Sequence, residues 1–495
     1  MADDATGAAM HAEANGVKAE LYGYQGVARI SIEVLEKYKV RIYVDPKHDN
    51  QPLSVRVELP KTGRNTWPAE DVQVVNADGQ AIAVRRNGTE WHQLLMTVPP
   101  VRRAYFVHVV DASAVKPTQQ WPSEKDRNAS DAETGLSATV CKWFDGRWAA
   151  LSIRFDDSHP THLSKAIPIL REYGFKGTFM INPGNPDYQS HRAAWEAIAE
   201  RGDQEFANHT MHHRGAIGDE EIEREIGEVS QCIWRLFPQK SKLIALNRGG
   251  GTTWVTEKPF RYYLDKYHLF IVGGSLGMDD VYGDRVAAFR RHIERHIEGD
   301  GWCRAHFHSI GEGLSASETN FRAAMEIVKE HRSQLWIAGM ADIYKYQTER
   351  SAAQVALKNE GADRATLEVS CQTDPRLFDQ PLTIQLTVPE SWSGKCLAVR
   401  DAQAKQMPTR TAYTSEHARI RFDVAPIDGT YTIAMTDCDG PQANGQSALS
   451  RSIKEWVAVP GFHSARARDR LYPTFAPSPT TCFTAATMSP TCGIT

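Results

Sequence analysis

The chain has 495 residues, which is too long for one ordinary hydrophobic core and predicts two or three domains. Its 41% hydrophobic and 24% charged residues are typical of soluble globular proteins. A net charge of -4 gives no basic surface for nucleic acid, and no apolar stretch is long enough to cross a membrane. We therefore expect neither a nucleic-acid partner nor a membrane span.

The N-terminal stretch MADDATGAAMHAEANGVKAE is small and polar, and residues 1–20 are predicted to be disordered. It lacks the apolar segment of a secretory signal, which favours a cytoplasmic protein. The eight cysteines are scattered without a CxxC pair, so we expect free thiols and no cysteine-based zinc site.

Short alternating runs follow, among them YKVRIYVD, LSVRVELP and DVQVVNADGQAIAVRR. Alternation with period two predicts strands, and the NADGQ stretch predicts a hairpin turn between two of them. Residues 21–115 are therefore predicted to form an antiparallel β-sandwich. Residues 116–138 are polar and contain proline, which predicts a linker.

From 139 to 352 strand-like and helical stretches alternate, as in WAALSIRF, HLSKAIPILREYG, KGTFMIN and HRAAWEAIAERG. Regular succession of strand and helix predicts an α/β fold with a parallel sheet, and about two hundred residues suit a barrel. Alternating runs return over 360–438, a second predicted β-sandwich. Residues 440–495 are rich in Ser, Thr, Pro and Ala and are predicted to be a disordered tail.

Four groups of polar residues lie near the ends of predicted strands, where β/α proteins carry their active sites. They are Asp156-Asp157, the NHTMHH stretch with His209 and His213, Arg248 before three glycines, and His308 in AHFHSIGEG. Alone, two adjacent aspartates are more often a solvated turn, and HxxxH recurs by chance on helices. Their common position after buried strands favours a shared site.

One carboxylate with two imidazoles is a ligand set suited to Zn²⁺. If HxxxH begins a helix, His209 and His213 lie one turn apart on one face and reach the same ion. The second aspartate is then free to act as a base, and a histidine on another loop supplies an acid. A metal-activated water, a carboxylate and an imidazolium together can hydrolyse an acyl bond.

RFDDSHPTHLSKAIPILREYGFKGTFMINPG resembles the first motif, helix and strand of the polysaccharide deacetylase family, the NodB-homology carbohydrate esterases. HTMHH resembles their second motif, FHSIG their fifth, and LWIAGMADIYKYQTER the last strand and helix of bacterial members. The resemblance covers about residues 150–350, and the motifs occur in the family's order. It implies a distorted (β/α)7 barrel that removes acetyl groups from N-acetylated sugars.

The resemblance also implies a role for each matching residue. Asp156 becomes the general base and His308 the general acid, while Asp157, His209 and His213 hold a divalent metal ion, with Zn²⁺ preferred.

Three departures from the family's pattern stand out. Ser158 replaces the glycine after the acid pair, and Arg248-Gly249-Gly250 matches Arg-x-Pro only loosely. We expect Arg248 to orient Asp156. The acidic pair Asp279-Asp280 lies in the same region and matches no motif.

The predicted protein is thus a metal-dependent hydrolase of acetylated carbohydrate, flanked by two β-sandwich domains. Two alternatives remain: an O-acetyl esterase acting on acetylated xylan with the same residues, and an inactive barrel that only binds carbohydrate. The missing signal favours the cytoplasm, whereas the family often acts outside it, so the compartment stays open.

Overall fold

The structure is a computed structural model that describes residues 10–436, except for the gaps 23–26, 48–50, 62–65, 88–91, 111–120, 312–314, 390–391, 393–394 and 414–417. The predicted disordered tail at 440–495 lies outside the described residues.

The N-terminal part of the chain consists of strands whose buried residues mostly alternate with more exposed ones. They form two antiparallel arrays, in the orders β1-β2-β5-β8-β7 and β3-β4-β9-β6, that contribute to one hydrophobic cluster. The strands are β1 (His11–Ala14), β2 (Val17–Leu21), β3 (Val27–Glu36), β4 (Lys39–Lys47), β5 (Leu53–Glu58), β6 (Val72–Asn76), β7 (Val84–Asn87), β8 (Gln93–Val98) and β9 (Arg103–Val109).

One prediction for this part is wrong and another holds only locally. Residues 1–20 include β1 and most of β2, because Val17, Ala19 and Leu21 place apolar side chains on one buried face. The NADGQ stretch does form the predicted hairpin turn: Val75 and Ala81 form an antiparallel bridge, and the Ile82 N–H donates to the Val74 carbonyl at 2.8 Å. The pairing does not extend further, because β6 and β7 belong to different sheets.

The middle of the chain alternates strands and helices, with π-helical turns at His162–Ala166 before α1 and at Glu223–Glu228 between α4 and α5. Its strands are β10 (Asn128–Ser130), β11 (Ser137–Val140), β12 (Ala149–Phe155), β13 (Gly177–Ile181), β14 (Glu205–Asn208), β15 (Gly215–Ile217), β16 (Ile244–Ala245), β17 (Thr253–Thr256), β18 (Leu269–Phe270), β19 (Leu276–Gly277), β20 (Trp302–Phe307), β21 (Ser309–Ile310), β22 (Ser315–Ala316) and β23 (Leu335–Ile337). Its helices are α1 (Ile167–Tyr173), α2 (Pro186–Ser190), α3 (Arg192–Arg201), α4 (Asp219–Ile222), α5 (Val229–Leu236), α6 (Phe260–Lys266), α7 (Arg285–Glu298), α8 (Glu318–Glu330) and α9 (Met340–Ala352).

A parallel sheet in the order β14-β13-β12-β20-β19 lies at the centre of this region, and β23 pairs with the start of β12. Six of the seven residues of β12 are buried, as expected for a strand covered on both faces. The predicted α/β class and parallel strands are confirmed. Within the described ranges no sheet closes on itself, so the predicted barrel is not confirmed.

The boundary predicted at residue 139 does not separate the N-terminal strands from the middle region, because strands of the two pair with each other. Strand β17 pairs with β7 of the N-terminal sheet, and β15 pairs with β17. Arg86 of β7 is buried and donates to Thr256 Oγ1 at 2.8 Å and to the Val72 carbonyl at 2.7 Å. The N-terminal sheet thus includes segments of the middle region.

The last strands contribute, with β10 and β11, to another hydrophobic cluster. Two sheets provide it, in the orders β10-β11-β26-β29-β28 and β24-β25-β30-β27. Their remaining strands are β24 (Ala353–Gly361), β25 (Arg364–Cys371), β26 (Leu382–Thr387), β27 (Cys396–Arg400), β28 (Arg410–Tyr413), β29 (Ala418–Val424) and β30 (Gly429–Thr436).

Two further expectations need correction. Part of the predicted linker 116–138 forms β10 and the first half of β11, because Leu136 and Ala138 bury their side chains; residues 116–120 lie outside the described part. Cys396 is disulfide-bonded, whereas free thiols were expected; Cys141, Cys232 and Cys303 are free. Over the described residues, no helix combines the length and apolarity needed to span a bilayer.

Glu349 of α9 is fully buried against the C-terminal sheets. Its Oε1 accepts the backbone N–H of Gln380 at 2.8 Å, while Oε2 has no partner among the described residues. Burial raises the pKa of Glu349 to about 8, against the smaller opposite effects of the Gln380 hydrogen bond and Lys345. The carboxyl group is therefore neutral in the folded protein near pH 7.

We predict that Glu349→Gln makes the free energy of unfolding less dependent on pH. The folded-state pKa lies above the unfolded-state value, so the group stabilises the fold below about pH 4.5 and this contribution is lost as the pH rises through about 8. The urea midpoint of the wild type should fall more between pH 5 and pH 8.5 than that of the variant. Exposed Glu294→Gln is the control and should behave as wild type; equal pH dependence of Glu349→Gln and wild type would contradict the prediction.

Candidate active site

Polar side chains follow the parallel strands at the same edge of the central sheet. Asp156 follows β12, Asn182 follows β13, His209 follows β14 and His308 follows β20. The sequence predicted three of these four positions. Since neighbouring parallel strands end on the same side, residues far apart in the chain become neighbours here.

Asp157 and two histidines form a compact group. Asp157 Oδ1 lies 3.1 Å from His209 Nε2 and 3.7 Å from His213 Nε2. One ligand atom from each residue lies within 4.8 Å of the others. The predicted set Asp157, His209 and His213 is therefore brought together by the fold, and its oxygen and nitrogen atoms fit a divalent cation such as Zn²⁺.

The HxxxH stretch does not begin a helix, so the helical arrangement considered for His209 and His213 does not apply. Residues 209–214 form a bend, in which Thr210 has φ 67° and His213 has φ 56°. Thr210 Oγ1 accepts the His213 backbone N–H at 3.0 Å and closes the bend. The two imidazoles converge through these left-handed residues, with ring centroids 4.7 Å apart.

Backbone contacts fix the orientation of the His209 ring. Its Nδ1 lies 2.8 Å from the Asn247 carbonyl, which can only accept, so Nδ1 carries a proton and Nε2 is the nitrogen that faces Asp157. Histidine ligands of metals usually donate their other nitrogen in this way. The hydrogen-bonding of His209 therefore supports a metal fit.

The turn after β12 aims Asp157 at these histidines. Asp157 has φ 76° and Ser158 has φ 55°, so the position where the family has glycine does adopt positive φ. Ser158 Oγ accepts the backbone N–H of Asn182 at 2.8 Å, which ties this strained turn to the end of β13. Burial alone would raise the pKa of Asp157, but the hydrogen bond from His209 and the nearby imidazoles lower it.

Asp156 is 3% exposed. Its Oδ2 accepts from Arg154 at 2.8 Å and from the Asn247 side-chain amide at 3.3 Å, whereas Oδ1 has no hydrogen-bond partner among the described residues. Burial would raise its pKa, but Arg154, His209 and His306 outweigh burial and lower it. Asp156 is thus an ionised carboxylate with one oxygen available.

Arg248 does not have the expected contact with Asp156, which pairs with Arg154 instead. Arg248 is 2% exposed, and its guanidinium lies 4.5 Å from the centroid of the Phe260 ring. The loop after Arg248 still reaches the site through its backbone. Gly249 has φ 76°, and a Cβ there would lie 2.1 Å from His213 Nε2.

Asp279 is the main residue that the motifs missed. It is fully buried just after β19, and its Oδ2 accepts from His308 Nδ1 at 2.6 Å. This interaction and the charge of Asp279 raise the pKa of His308 despite the opposing effect of burial. His308 Nε2 faces the site, 3.9 Å from Asp157 Oδ2. An acidic residue directly after a short apolar strand was the available signal in the sequence.

Two other histidines of these motifs, His212 and His306, contact residues around the site. His212 Nδ1 lies 2.7 Å from buried Glu225, which also accepts the His212 backbone N–H. His306 Nδ1 lies 3.1 Å from Ser275 Oγ, and burial lowers the pKa of His306 to about 4.

Residues 147–258 match the family model for polysaccharide deacetylase. The predicted resemblance to this family is thereby confirmed for that segment. The match includes Asp156, Asp157, His209, His213 and Arg248 and ends before His308. The family is generally metal-dependent.

Similar proteins include a gellan lyase from Bacillus sp, 21% identical over 309 residues. That match covers 55% of this chain but only 12% of the lyase, so the chain spans about an eighth of that relative. Among solved structures, a peptidoglycan N-acetylglucosamine deacetylase is 18% identical over 39% of this chain and 87% of its own, with a TM-score of 0.31. A family 4 carbohydrate esterase from Streptomyces lividans in complex with acetate is 18% identical over 39% and 93%, with a TM-score of 0.30. Likeness at these TM-scores assigns neither residues nor substrate.

We predict that Gly249→Ala displaces His213 and weakens zinc binding at least about tenfold, since the added Cβ would overlap Nε2 and strain a residue at φ 76°. Gly250→Ala is the matched control, because a Cβ there has open space and no positive φ. Equilibrium dialysis against Zn²⁺ measures both. Equal affinities for the two variants would show that Gly249 does not maintain the position of His213.

Proposed function

We propose that this protein is a metal-dependent hydrolase that removes acetyl groups from N-acetylated sugars of a polysaccharide or oligosaccharide. The observation that carries the proposal is the convergence of Asp157, His209 and His213, with Asp156 and His308 at the same edge of the sheet. The family match supports the reaction class but leaves the sugar open.

Asp157, His209 and His213 are proposed to hold the cation. When bound, a divalent metal ion supplies Lewis acidity that activates water and polarises the acetyl carbonyl. His209 offers Nε2, because its Nδ1 proton is engaged by the Asn247 carbonyl. Asp157 would contribute a negative charge that offsets the loss of hydration of a bound cation.

Asp156 is proposed to be the general base. Arg154 and Asn247 hold one carboxylate oxygen, and the unpartnered Oδ1 is the atom that would take a proton from the attacking water. Its burial excludes bulk solvent from competing for that oxygen. Arg154 rather than Arg248 is the residue proposed to orient it.

His308 is proposed to be the general acid. Since Asp279 accepts the Nδ1 proton, the second proton of the imidazolium lies on Nε2, which faces the site. Nε2 would deliver that proton to the departing sugar nitrogen. Asp279 stabilises the charged form and is a positioning residue.

The finer features of the fold are proposals too. We regard the open parallel sheet as an incomplete (β/α)7 barrel, flanked by β-sandwich domains. The pairing of β17 with β7 favours a bracing role for the N-terminal sheets, since it joins them to loops that bear site residues.

We predict that Asp157→Ala and His209→Ala lose the site's metal ion, whereas Asp156→Asn keeps it and lowers kcat at least about a hundredfold, because only the base is removed. Metal content by mass spectrometry and acetate release from chitin oligosaccharides are measured in parallel. Near wild-type turnover of Asp156→Asn would show that the base is another group.

The same assay separates the alternatives. Acetate released from acetylated xylan, with none from chitin oligosaccharides, would identify an O-acetyl esterase. Metal binding with no acetate release from either substrate would identify a carbohydrate-binding protein without turnover.

We predict that Asp279→Asn lowers kcat roughly tenfold to a hundredfold while leaving KM and metal content near wild type, since it weakens only the charged form of His308. Asp280→Asn is the control; Asp280 accepts from Ser317 N–H and from the Asn320 amide and does not contact His308 in the described contacts. Steady-state kinetics measure both variants, and an unchanged kcat in Asp279→Asn would remove its positioning role.

A further inference from the structure

A second group of metal-binding side chains lies outside the candidate active site. His292 and His296 are one turn apart on α7, and Cys303 is the second residue of β20. One nitrogen of each histidine and the Cys303 sulfur lie within 4.8 Å of one another. Both histidines are partly exposed and Cys303 is fully buried, so the group is open on one side.

Backbone carbonyls determine which nitrogen atoms carry protons. His292 Nε2 lies 3.2 Å from the Arg304 carbonyl, and His296 Nδ1 lies 2.7 Å from the His292 carbonyl. A carbonyl only accepts, so these two nitrogens donate, and His292 Nδ1 and His296 Nε2 carry the lone pairs. Metal-binding histidines are commonly held by such contacts.

We propose that His292, His296 and Cys303 form a second, structural cation site that takes Zn²⁺. Two imidazoles and a thiolate suit this ion, and a fourth position remains for water. Tetrahedral coordination places such ligand atoms roughly 3.4–3.6 Å apart. The three ligand atoms all lie within 4.8 Å of one another, so side-chain rotations of about an ångström would bring them to this spacing.

Two arginines, Arg295 and Arg304, lie near the proposed site, and their positive charges weaken the binding of a cation there without preventing it. Arg295 donates to His292 Nδ1 at 2.9 Å, and because Arg295 is exposed it can turn into solvent when the cation takes that lone pair. Arg304 donates to the Gly274 carbonyl at 3.3 Å, and its positive charge still acts on His292 and on Cys303, where it favours the thiolate against the effect of burial. As the zinc–sulfur bond forms, the S–H bond of Cys303 breaks and its proton passes to the buffer.

The site would link the end of α7 to the start of β20. The connection between them is tight: Asp300 has φ 49°, and the Gly301 N–H donates to the His296 carbonyl at 2.7 Å. A cation bound on both sides of this turn would stabilise the docking of α7 against β20, which makes its role structural.

Cobalt substitution tests the proposal, because Co²⁺ bound to thiolate gives a charge-transfer absorption that the sulfur-free active site cannot give. The purified full chain is stripped with chelator and titrated with Co²⁺ and then Zn²⁺. We expect the absorption in wild type and in Cys232→Ser, a matched free cysteine on α5, and its loss in Cys303→Ser. His296→Gln, which retains the thiol, should weaken Zn²⁺ binding at least about tenfold.

Zinc stoichiometry separates this site from the catalytic one. Wild type should bind two ions, Cys303→Ser one, and His209→Ala one with the cobalt–thiolate absorption intact. No such absorption in wild type, or its persistence in Cys303→Ser, would overturn the second site while leaving the deacetylase proposal untouched. If Cys303→Ser does not fold, His296→Gln decides, and wild-type affinity there would refute the site.

Discussion

The central constraint in this structure is the burial of a carboxylate beside a second one. Asp156 is 3% exposed and is followed directly by Asp157, and an uncompensated buried charge costs several kcal/mol. Arg154 supplies the compensation, because residues two apart on a strand project to the same side, and β12 brings both to one face. The histidines of the neighbouring loop favour Asp157 in its ionised form.

The loops that carry the site are anchored at both ends. His213 is followed after one residue by β15, and the glycines after Arg248 lead into β17, both in the sheet that contains β7. Gly249 lies so close to His213 that the second loop supports the first. The N-terminal sheet is therefore part of the support for a proposed metal ligand, which gives a physical reason for its presence next to the parallel sheet.

Local sequence patterns were sufficient to predict many of the strands, the helices and the candidate site residues. Alternation identified most strands, three- and four-residue spacing identified the helices, and chemistry at strand ends identified Asp156, Asp157, His209, His213 and His308. Periodicity reports which face of an element is buried, and both β6 and β7 have such a face. It does not report the partner of that face, which is why the sequence did not predict that β7 pairs with β17 across the boundary at residue 139.

Contacts between residues on different strands could not be predicted from the sequence, because periodicity does not report which strands pair. Asp279 is 29 residues from His308 and meets it only because β19 pairs with β20. The family motif pointed to Arg248, whereas the residue that pairs with Asp156 is Arg154, which lies within β12 and to which no motif assigns a role. The bend at Thr210 and His213 depends on backbone angles that side-chain spacing does not specify.

Strand β20 runs between the two proposed cation sites, and its length sets the distance between them. Cys303 lies near its start and His308 just past its end, five residues on, which corresponds to roughly 16 Å along an extended strand. That distance rules out a shared two-metal centre, whose ions lie about 4 Å apart. It also exceeds the screening length of about 10 Å at 0.1 M salt, so charge at one site has little effect on the other. A cation at Cys303 would therefore influence catalysis only through the rigidity of β20 and of α7, which packs against it.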